Sequence, residues 1–539
     1  MKLNGNIVTG INYLCIAILG SLFFSCSNKV STTEKETKER PNIVLILADD
    51  MGYSDLSCYG GEISTPNIDK IASHGVRFSQ FYNAARCCPT RASLMTGLYP
   101  HQAGMGAMVK LHGEAAKGPY QGYLNDQCVT IAEVLKQAGY YTAASGKWHI
   151  GEERPQWPID RGFDNYYGLI SGAANYFDIS RGKSKNVVRH FAIDSTEIMP
   201  SKEGFYMTEA ITDHAVQFLQ KAATKDQPFF LYLPYTAPHW PLHALQEDIA
   251  LYKGKFMKGW DELREERYNR MVELGLIDKE WLKSDRNEDV SSWDSLSQEQ
   301  KEQMDQLMAI FAAQIHRMDI GIGQVMDQLE KMGALENTVV FFLSDNGGSS
   351  EYGIWGTDFW GNFWDGKALP GSGDSFHSYG ASWANLSNTP FRYYKKYVHE
   401  GGIATPFIVS WPETIKDTGG ISHVPGHVID IMTTICDVTN VEYPKVFKNH
   451  QITPMPGRSI LPALLGEQKM DTDTIFWEHM GNRAVRIGNW KLVSIKGSPW
   501  ELYNLEKDRT ETNNLIENEP ARAAEMKATY ESWAKKIGV

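Results

Sequence analysis

Short apolar runs alternate with longer amphipathic segments over most of the chain. Five runs are rich in β-branched and aromatic residues and contain few polar side chains, as strands buried on both faces of a parallel sheet do. They lie at residues 41–50, 140–149, 228–235, 338–348 and 404–412. Helical spacing of apolar residues occurs between them, at 129–139, 212–223 and 303–333. This alternation predicts an α/β fold with a large mixed, mostly parallel sheet sandwiched by helices.

Two regions depart from this alternation. Residues from about 248 to 300 are charged and helical, which indicates an insertion into the α/β domain of residues 41–465. From residue 466 to residue 539, short strand-like segments such as "TIFWEH" and "WELYNL" precede one amphipathic helical segment. We predict a smaller C-terminal domain there, built from an antiparallel sheet and a helix.

The N-terminus is typical of a targeting segment. Lys2 precedes the apolar run "YLCIAILGSLFF", which is shorter than the roughly 20 residues of a comfortable membrane span. The following "LFFSC" resembles the end of a bacterial lipoprotein signal, with lipid attached to Cys26. We therefore expect a signal peptide at 1–25, a flexible tether at 26–40 and an extracytoplasmic, lipid-anchored protein in the periplasm or on the outer membrane. An uncleaved membrane anchor is the alternative.

Charge and cysteine content narrow the picture further. The net charge of -12 argues against nucleic-acid binding, because the phosphate backbone favours basic surfaces. If the signal removes Cys15 and lipid occupies Cys26, five cysteines remain in a compartment that permits disulfides. Five is an odd number, so at least one thiol has another fate. The remaining cysteines are Cys58, Cys87, Cys88, Cys128 and Cys436, and their spacing does not match a zinc site. The pairing of Cys58, Cys88, Cys128 and Cys436 stays open.

Oxygen-bearing side chains follow two of the predicted strands. Asp49 and Asp50 end one strand, and Asp345 and Asn346 end another. Ligands of open α/β sheets gather at the carboxyl edge, and four oxygen donors there suit Ca2+ or Mg2+. The alternative is that these residues merely cap turns or helices.

Basic side chains follow two other strands. "GKWHIG" contributes Lys147 and His149, which point the same way if that segment is extended, and "APHWP" contributes His239 between two prolines. Each of them alone could be an ordinary surface residue. Together with a divalent cation they predict a site for phosphate or sulfate esters.

The stretch "ARCCPTRASLMTG" at residues 85–97 contains Cys87-x-Pro-x-Arg91, which resembles the signature of the sulfatase family. Further blocks follow in the family's order, including "PNIVLILADDMGYSDLSCYG", "GKWHIG", "APHWP", "SDNGG", "HEGGIATPFIVSWP" and "NRAVRIGNWKLV". The resemblance implies an alkaline phosphatase-like fold and hydrolysis of sulfate esters. It also implies that a sulfatase-maturing enzyme oxidises Cys87 to Cα-formylglycine, whose hydrate is the nucleophile.

The same resemblance assigns residue roles. It implies these ligands for Ca2+, with Mg2+ possible: Asp49, Asp50, Cys87, Asp345 and Asn346. It implies these catalytic groups: Cys87, Arg91, Lys147, His149, His239 and Lys395. His149 would act as a base and His239 as the acid for the leaving oxygen, while Lys147 and Lys395 clamp the sulfate. The spacing to Glu400 favours Lys395 over Lys396, and His101 would orient neighbours or contact substrate.

The expected substrate is a sulfated carbohydrate. The long loop at 358–392 is rich in aromatic residues, and Trp364 or Trp383 could stack on a sugar ring, although both could be core residues. Phosphatases and phosphodiesterases of the same superfamily are the nearest enzymatic rivals. Their two-metal forms need an extra histidine where this chain has Asn346, which favours one cation. Phosphonate monoester hydrolases, which also use formylglycine, and a non-catalytic glycan-binding relative are the remaining competing interpretations.

Overall fold

The computed structural model describes residues 40–109, 118–181, 189–356, 368–416, 418–469 and 474–539. The predicted signal peptide, Cys26 and all of the predicted tether except Arg40 lie outside the described residues, and so does Trp364. Arg40–Val539 form one compact unit.

A sheet of eleven strands lies at the centre of the described chain. Its strands are β1 (Asn42–Ala48), β2 (Gly75–Tyr82), β3 (Tyr141–Ser145), β4 (Asn165–Leu169), β5 (Phe191–Ile193), β6 (Thr196–Glu197), β7 (Phe229–Pro234), β8 (Thr338–Ser344), β9 (Ala404–Ser410), β10 (Gly420–Ser422) and β11 (Gly426–His427). The strand order is β10-β2-β9-β8-β1-β7-β3-β4-β5-β6, with β11 paired to β2.

Strand direction determines which loops meet. β1 lies between β7 and β8 and is parallel to both, so three carboxyl ends share one edge. β9 instead runs antiparallel to β8 and β2. The connection from Ser344 to Ala404 begins at the carboxyl edge and returns to it, so β9 must run back along the sheet. The expected mixed, mostly parallel sheet is confirmed.

Helices cover both faces of the sheet. The α-helices of the described chain are α1 (Pro66–Ser73), α2 (Cys87–Thr96), α3 (Ile131–Gln137), α4 (Met207–Ala222), α5 (Gln246–Tyr252), α6 (Gly259–Glu273), α7 (Gln298–Lys331), α8 (Gly380–Ser387), α9 (Glu400–Ile403), α10 (Ile429–Thr439), α11 (Leu461–Leu464) and α12 (Pro520–Ile537), the last of which packs in the C-terminal region. Successive β1 residues alternate between two cores: Val44 joins the core that includes α4 and α7, and Leu45 joins the core that includes α2 and α10. Within the described ranges, no helix has the length and apolarity needed to cross a bilayer.

The C-terminal region has its own antiparallel sheet. A two-stranded ribbon of β12 (Val446–Phe447) and β13 (His450–Gln451) precedes it. The four-stranded sheet comprises β14 (Ile475–His479), β15 (Asn482–Ile487), β16 (Trp490–Ser494) and β17 (Glu501–Asn504). Side chains such as Trp477 and Val493 join the core of the large sheet, whereas Val485 and Leu492 pack with Met526 of α12. The predicted antiparallel sheet and helix are confirmed.

The structure places Trp383 in the core. The side chain is fully buried on α8, and its Nε1–H donates to the Met304 carbonyl at 2.9 Å. Its ring packs edge-on against Trp260, with 5.2 Å between centroids, and lies near Trp293. The hypothesis that Trp383 stacks on substrate is therefore wrong, because residues of α6 and α7 pack around the ring.

We expect Trp383→Ala to lower the free energy of unfolding by about 3–5 kcal/mol, the cost of emptying a buried aromatic site. Trp383→Phe should cost less because it leaves a smaller cavity. Thermal and denaturant unfolding would measure both changes. A Trp383→Ala protein with an unchanged melting temperature would contradict the burial described above.

Candidate active site

The ends of β1 and β8 carry the four oxygen-bearing residues that the sequence singled out. The two strands are paired in parallel with Ala48 opposite Ser344, so the next residues of each strand meet. The Asp50 backbone N–H donates to Asp345 Oδ1 at 3.2 Å, and Asn346 Nδ2 donates to Asp50 Oδ1 at 2.7 Å. All four side chains, including Asp49, are buried. The structure brings the predicted cation ligands together.

Two oxygen atoms in this group identify where a cation fits. Asp49 Oδ1 and Asn346 Oδ1 are buried and have no hydrogen-bond partner among the described residues. Buried polar atoms without a partner are rare in folded proteins and call for an ion or water. Asp49, Asp50 and His239 also place ligand atoms within 4.8 Å of one another. Carboxylate and amide oxygens suit a hard divalent cation, so the donor set fits the predicted ion.

The protonation behaviour of the acids points to the same conclusion. Burial raises the pKa of Asp345 well above its usual value, and the charge of Asp49 raises it further. For Asp49, burial also raises the pKa, but Lys147, His239 and Arg91 outweigh it and lower the pKa to about 2. Neighbouring buried acids cannot all be ionised without compensating positive charge. A divalent cation would supply that charge.

Helix α2 brings the Cys-x-Pro-x-Arg segment against these acids. The helix begins at Cys87 and ends where Gly97 adopts the left-handed conformation, with φ of 69°. All ten of its residues are buried. Arg91, one turn after Cys87, contacts Asp345 Oδ2 at 2.9 Å and Asp49 Oδ2 at 3.4 Å through its guanidinium. Arg91 thereby ties the helix to the ends of both strands.

Cys87 lies at the amino end of this helix, where the helix dipole favours an anion. A hydrogen bond with Cys88 lowers the pKa of Cys87 well below its usual value, burial opposes the shift, and His149 and Lys147 add to it. Cys87, Cys88 and His149 lie within 4.8 Å of one another, a grouping that taken alone also suits a soft metal. The described cysteines are all free thiols.

Lys147 and His149 both reach the site, but not along an extended strand. β3 ends at Ser145, and His149 adopts the left-handed conformation with φ of 57°. The segment is therefore not extended, as the argument from alternating side chains required. Both side chains nevertheless reach the site. Lys147 Nζ donates to Asp49 Oδ2 at 2.6 Å. Burial lowers the pKa of His149 to about 4, with Lys147 adding to the shift and Cys87 opposing it.

His239 and Lys395 lie on the opposite side of the acids. Lys395 Nζ is 2.9 Å from Asp50 Oδ2 and 3.4 Å from His239 Nε2. His239 Nδ1 is 2.6 Å from the Trp240 carbonyl, so Nδ1 carries a proton and Nε2 faces the site. Burial lowers the pKa of Lys395, but Asp50 and Glu351 reverse this and raise it well above the usual value. The contact with Asp50 agrees with the choice of Lys395 over Lys396.

His101 follows helix α2 in the chain and is buried. Its Nε2 is 2.8 Å from Glu478 Oε2 of β14, and its ring packs against Tyr120 and Trp533. These contacts favour the orienting role over substrate contact.

Sequence reasoning missed four residues around the site, namely Arg86, Trp240, Glu351 and His479. Glu351 contacts Lys395 and Arg86, and Trp240 donates to Glu351 through its indole N–H. His479 of β14 is fully buried, and neither ring nitrogen has a hydrogen-bond partner in the described chain. Glu351 lies five residues after Asn346 in a glycine-rich strand exit, which was the one available signal.

The Sulfatase family model matches residues 41–441, and the model for N-sulphoglucosamine sulphohydrolase, C-terminal, matches residues 391–535. An uncharacterized sulfatase of Schizosaccharomyces pombe is 35% identical over 531 residues, covering 93% of this chain and 94% of that protein. An arylsulfatase of Klebsiella aerogenes is 36% identical over 433 residues, covering 78% of this chain and 92% of that protein.

Among solved structures, Ps i-CgsB is similar, with a TM-score of 0.68 and 26% identity, covering 92% of this chain and 93% of that one. It has also been solved in complex with k-i-k-neocarrahexaose. The family model spans most of the chain, and the structural likeness confirms the alkaline phosphatase-like fold. The chain therefore belongs to the sulfatase family and is a sulfuric ester hydrolase.

Proposed function

We propose that this enzyme removes sulfate from sulfated carbohydrates, using formylglycine that a sulfatase-maturing enzyme makes from Cys87 and a bound divalent cation, Ca2+ in preference to Mg2+. One observation carries the proposal. Buried oxygens of Asp49 and Asn346, which have no hydrogen-bond partner within the described ranges, lie in one pocket with Cys87 and with cationic side chains from separate parts of the chain.

Three cationic side chains provide the electrostatic part of the site. Arg91, Lys147 and Lys395 are each at most 2% exposed, and each lies against one of the buried carboxylates. Preorganised charges in a dry pocket stabilise a developing anion without reorganising during the reaction. Asp49, Asp50, Asp345 and Asn346 would hold the cation, which supplies further positive charge beside residue 87 and the sulfate oxygens.

Two histidines divide the proton transfers. His149 lies beside Cys87 and is held neutral by its lowered pKa of about 4, so it can accept a proton from the group at position 87. When His239 is protonated, Nδ1–H stays on the Trp240 carbonyl, and Nε2–H is the proton available to the leaving oxygen. The modification supplies a hydrated aldehyde, and one hydroxyl group of that hydrate would act as the nucleophile.

Several observations support a carbohydrate substrate and an extracytoplasmic location. Ps i-CgsB was solved with a bound oligosaccharide, and this chain follows its fold along nearly its whole length. The "LFFSC" sequence supports a lipid anchor on Cys26, which would hold the enzyme at the membrane of the periplasm or outer membrane. A sulfatase in that place would act on glycans too large to enter the cytoplasm.

The formylglycine proposal predicts opposite results for two neighbouring cysteines. After expression with a maturing enzyme, the peptide containing residue 87 should carry an aldehyde, and Cys87→Ala should abolish sulfate release. Cys88→Ala is the matched control, because position 88 is variable in the motif, and it should keep both the modification and the activity. Mass spectrometry and ion chromatography of sulfate released from a panel of sulfated monosaccharides would measure both. Unmodified Cys87 in an active enzyme would contradict the proposal.

The cation proposal predicts that Ca2+ raises the melting temperature of chelator-treated protein. At a hundred times its Kd, a ligand that binds the native state adds about 2.7 kcal/mol to stability. Asp49→Asn should greatly reduce the Ca2+-dependent shift, whereas Asp294→Asn, on a fully exposed side chain, should leave it intact. Differential scanning calorimetry with Ca2+ and with Mg2+ would measure the shift. Equal shifts in both variants would place the ion elsewhere.

The anchor proposal concerns Cys26. In a bacterial host that processes lipoproteins, the wild-type protein should sediment with membranes and its mature N-terminal peptide should carry lipid. Cys26→Ala should move the protein into the soluble fraction or leave the precursor uncleaved, as judged by fractionation and N-terminal mass spectrometry. Soluble, unlipidated wild-type protein would contradict the proposal.

A further inference from the structure

Glu351 is a carboxylate placed where the sulfate pocket opens. Its Oε2 accepts hydrogen bonds from Trp240 Nε1 at 2.6 Å and from Lys395 Nζ at 3.2 Å. Its Oε1 lies 3.3 Å from the Arg86 guanidinium. The side chain is 13% exposed, so it reaches the solvent at the mouth while touching the buried Lys395.

This carboxylate is ionised, and a negative charge at that position opposes binding of sulfate. Burial alone would raise the pKa of Glu351, but Lys395, His239 and Arg86 outweigh burial and lower the pKa. Lys395 already has a carboxylate partner in Asp50. Glu351 is therefore not needed to neutralise Lys395, and its charge weakens the attraction of that lysine for an anion.

An aromatic pair lies next to Glu351 on the same side of the pocket. The Trp240 and Tyr352 rings pack edge to face with 4.9 Å between their centroids, and both side chains are partly exposed. The Trp240 ring is 5.4 Å from the ring of His239, the proposed acid for the leaving oxygen. Trp240, Glu351 and Tyr352 thus form a partly exposed surface beside the leaving-group side of the site, here named the alcohol-side wall.

The chemistry of this wall suits a sugar. Aromatic faces pack against the C–H face of a pyranose ring, and a fixed carboxylate accepts strong hydrogen bonds from hydroxyl groups. A carboxylate also disfavours a second sulfate at the same place, because two buried anions would be brought together. The wall therefore combines attraction for a hydroxyl with repulsion of an additional anion.

We propose that the alcohol-side wall binds the sugar part of the substrate, and that the Glu351 carboxylate accepts a hydrogen bond from a free hydroxyl next to the sulfated position. The inference rests on the proposed function, since it takes the substrate to be a sulfated sugar. It predicts selectivity for sugars with an unsulfated neighbouring hydroxyl over their vicinally disulfated counterparts.

A purely structural role for Glu351 is the competing explanation. In that case, Glu351 would only hold Lys395 and Trp240 in place, and its loss would affect every sulfate ester by the same factor. The two explanations differ in whether the effect of the substitution depends on the hydroxyl group of the substrate.

The test changes the neighbouring hydroxyl of the substrate and the Glu351 side chain, each alone and both together. The formylglycine content of each enzyme sample is verified by mass spectrometry. kcat/KM is measured on a sulfated monosaccharide that the enzyme hydrolyses, on its analogue lacking the neighbouring hydroxyl, and on 4-nitrophenyl sulfate. For wild-type enzyme, kcat/KM should be about ten- to hundredfold lower on the deoxy analogue than on the parent sugar, as expected for a hydrogen bond to a charged acceptor. Glu351→Gln should reduce that ratio at least tenfold.

Two results would overturn the inference. One is a wild-type enzyme that does not distinguish the two sugars, a measurement that needs no variant to fold. The other is a Glu351→Gln enzyme that loses the same factor on both sugars and on the aryl ester, as a structural role requires. Trp240→Phe keeps an aromatic ring but removes the N–H donor to Glu351, and it should also reduce the hydroxyl dependence.

A binding measurement separates recognition from chemistry. Calorimetric titration of Cys87→Ala protein with the two sulfated sugars should show tighter binding of the sugar that carries the hydroxyl, and Glu351→Gln in that background should remove the difference. Equal binding of both sugars would count against the wall. Failure to release sulfate from any ester, including 4-nitrophenyl sulfate, by enzyme that carries formylglycine would instead contradict the proposed function.

Discussion

The arrangement of buried charge at the carboxyl edge of the large sheet is the constraint on which the site depends. Three carboxylates and three cationic side chains, each at most 2% exposed, form a connected set there, in which each cationic group contacts at least one carboxylate: Asp49, Asp50, Asp345, Arg91, Lys147 and Lys395. Burying an ion is costly unless partners compensate it, so removing any one member leaves an uncompensated charge. The six charges cancel one another. A bound divalent cation would therefore give the site a net positive charge, which favours binding of an anionic sulfate ester.

The scaffold fixes this arrangement through its C-terminal sheet. Lys395 lies five residues before Glu400, whose carboxylate accepts hydrogen bonds from Lys491 Nζ at 2.9 Å and from Arg509 Nε at 2.8 Å. All three of the charged groups in that network are buried. The small sheet thus fixes the segment that carries Lys395 through Glu400, while Lys395 itself contacts Asp50 at the carboxyl edge of the large sheet. The C-terminal region is accordingly part of the construction of the site, and both family models include this segment.

The sequence was sufficient to predict the elements that depend on local pattern. The buried strands β1, β7 and β8 were predicted from continuous apolar runs, and the polar residues at their ends meet because parallel neighbouring strands end at one edge. β2 was missed because Arg77, Ser79 and Gln80 interrupt its apolar run, although it pairs with three other strands. The direction of β9 depends on where its connection returns, which no local pattern encodes.

The residues of the site show the same contrast between features that local sequence predicts and features that only the tertiary structure determines. Paired acids and the Cys87 motif carry their own signal, whereas His149 reaches Cys87 through a left-handed backbone that alternation cannot predict. Trp383 and Trp240 have the same residue type, and tertiary packing alone makes one a core residue and the other part of the pocket mouth. Glu351 is a single acid in a loop, and its importance is visible only when Lys395, more than forty residues later, is placed against it.

The two sides of the pocket differ in how they are built, and this difference bears on specificity. Cys87, Arg91 and Lys147 are positioned by a buried helix and by a segment bonded to the strand ends, so their geometry depends on the protein core. Trp240 and Glu351 lie in loops at the mouth and are partly exposed. Loops on a rigid scaffold can change without disturbing the elements beneath them. The sulfate chemistry is therefore tied to the fold, while recognition of the alcohol can vary through the loops that carry the alcohol-side wall.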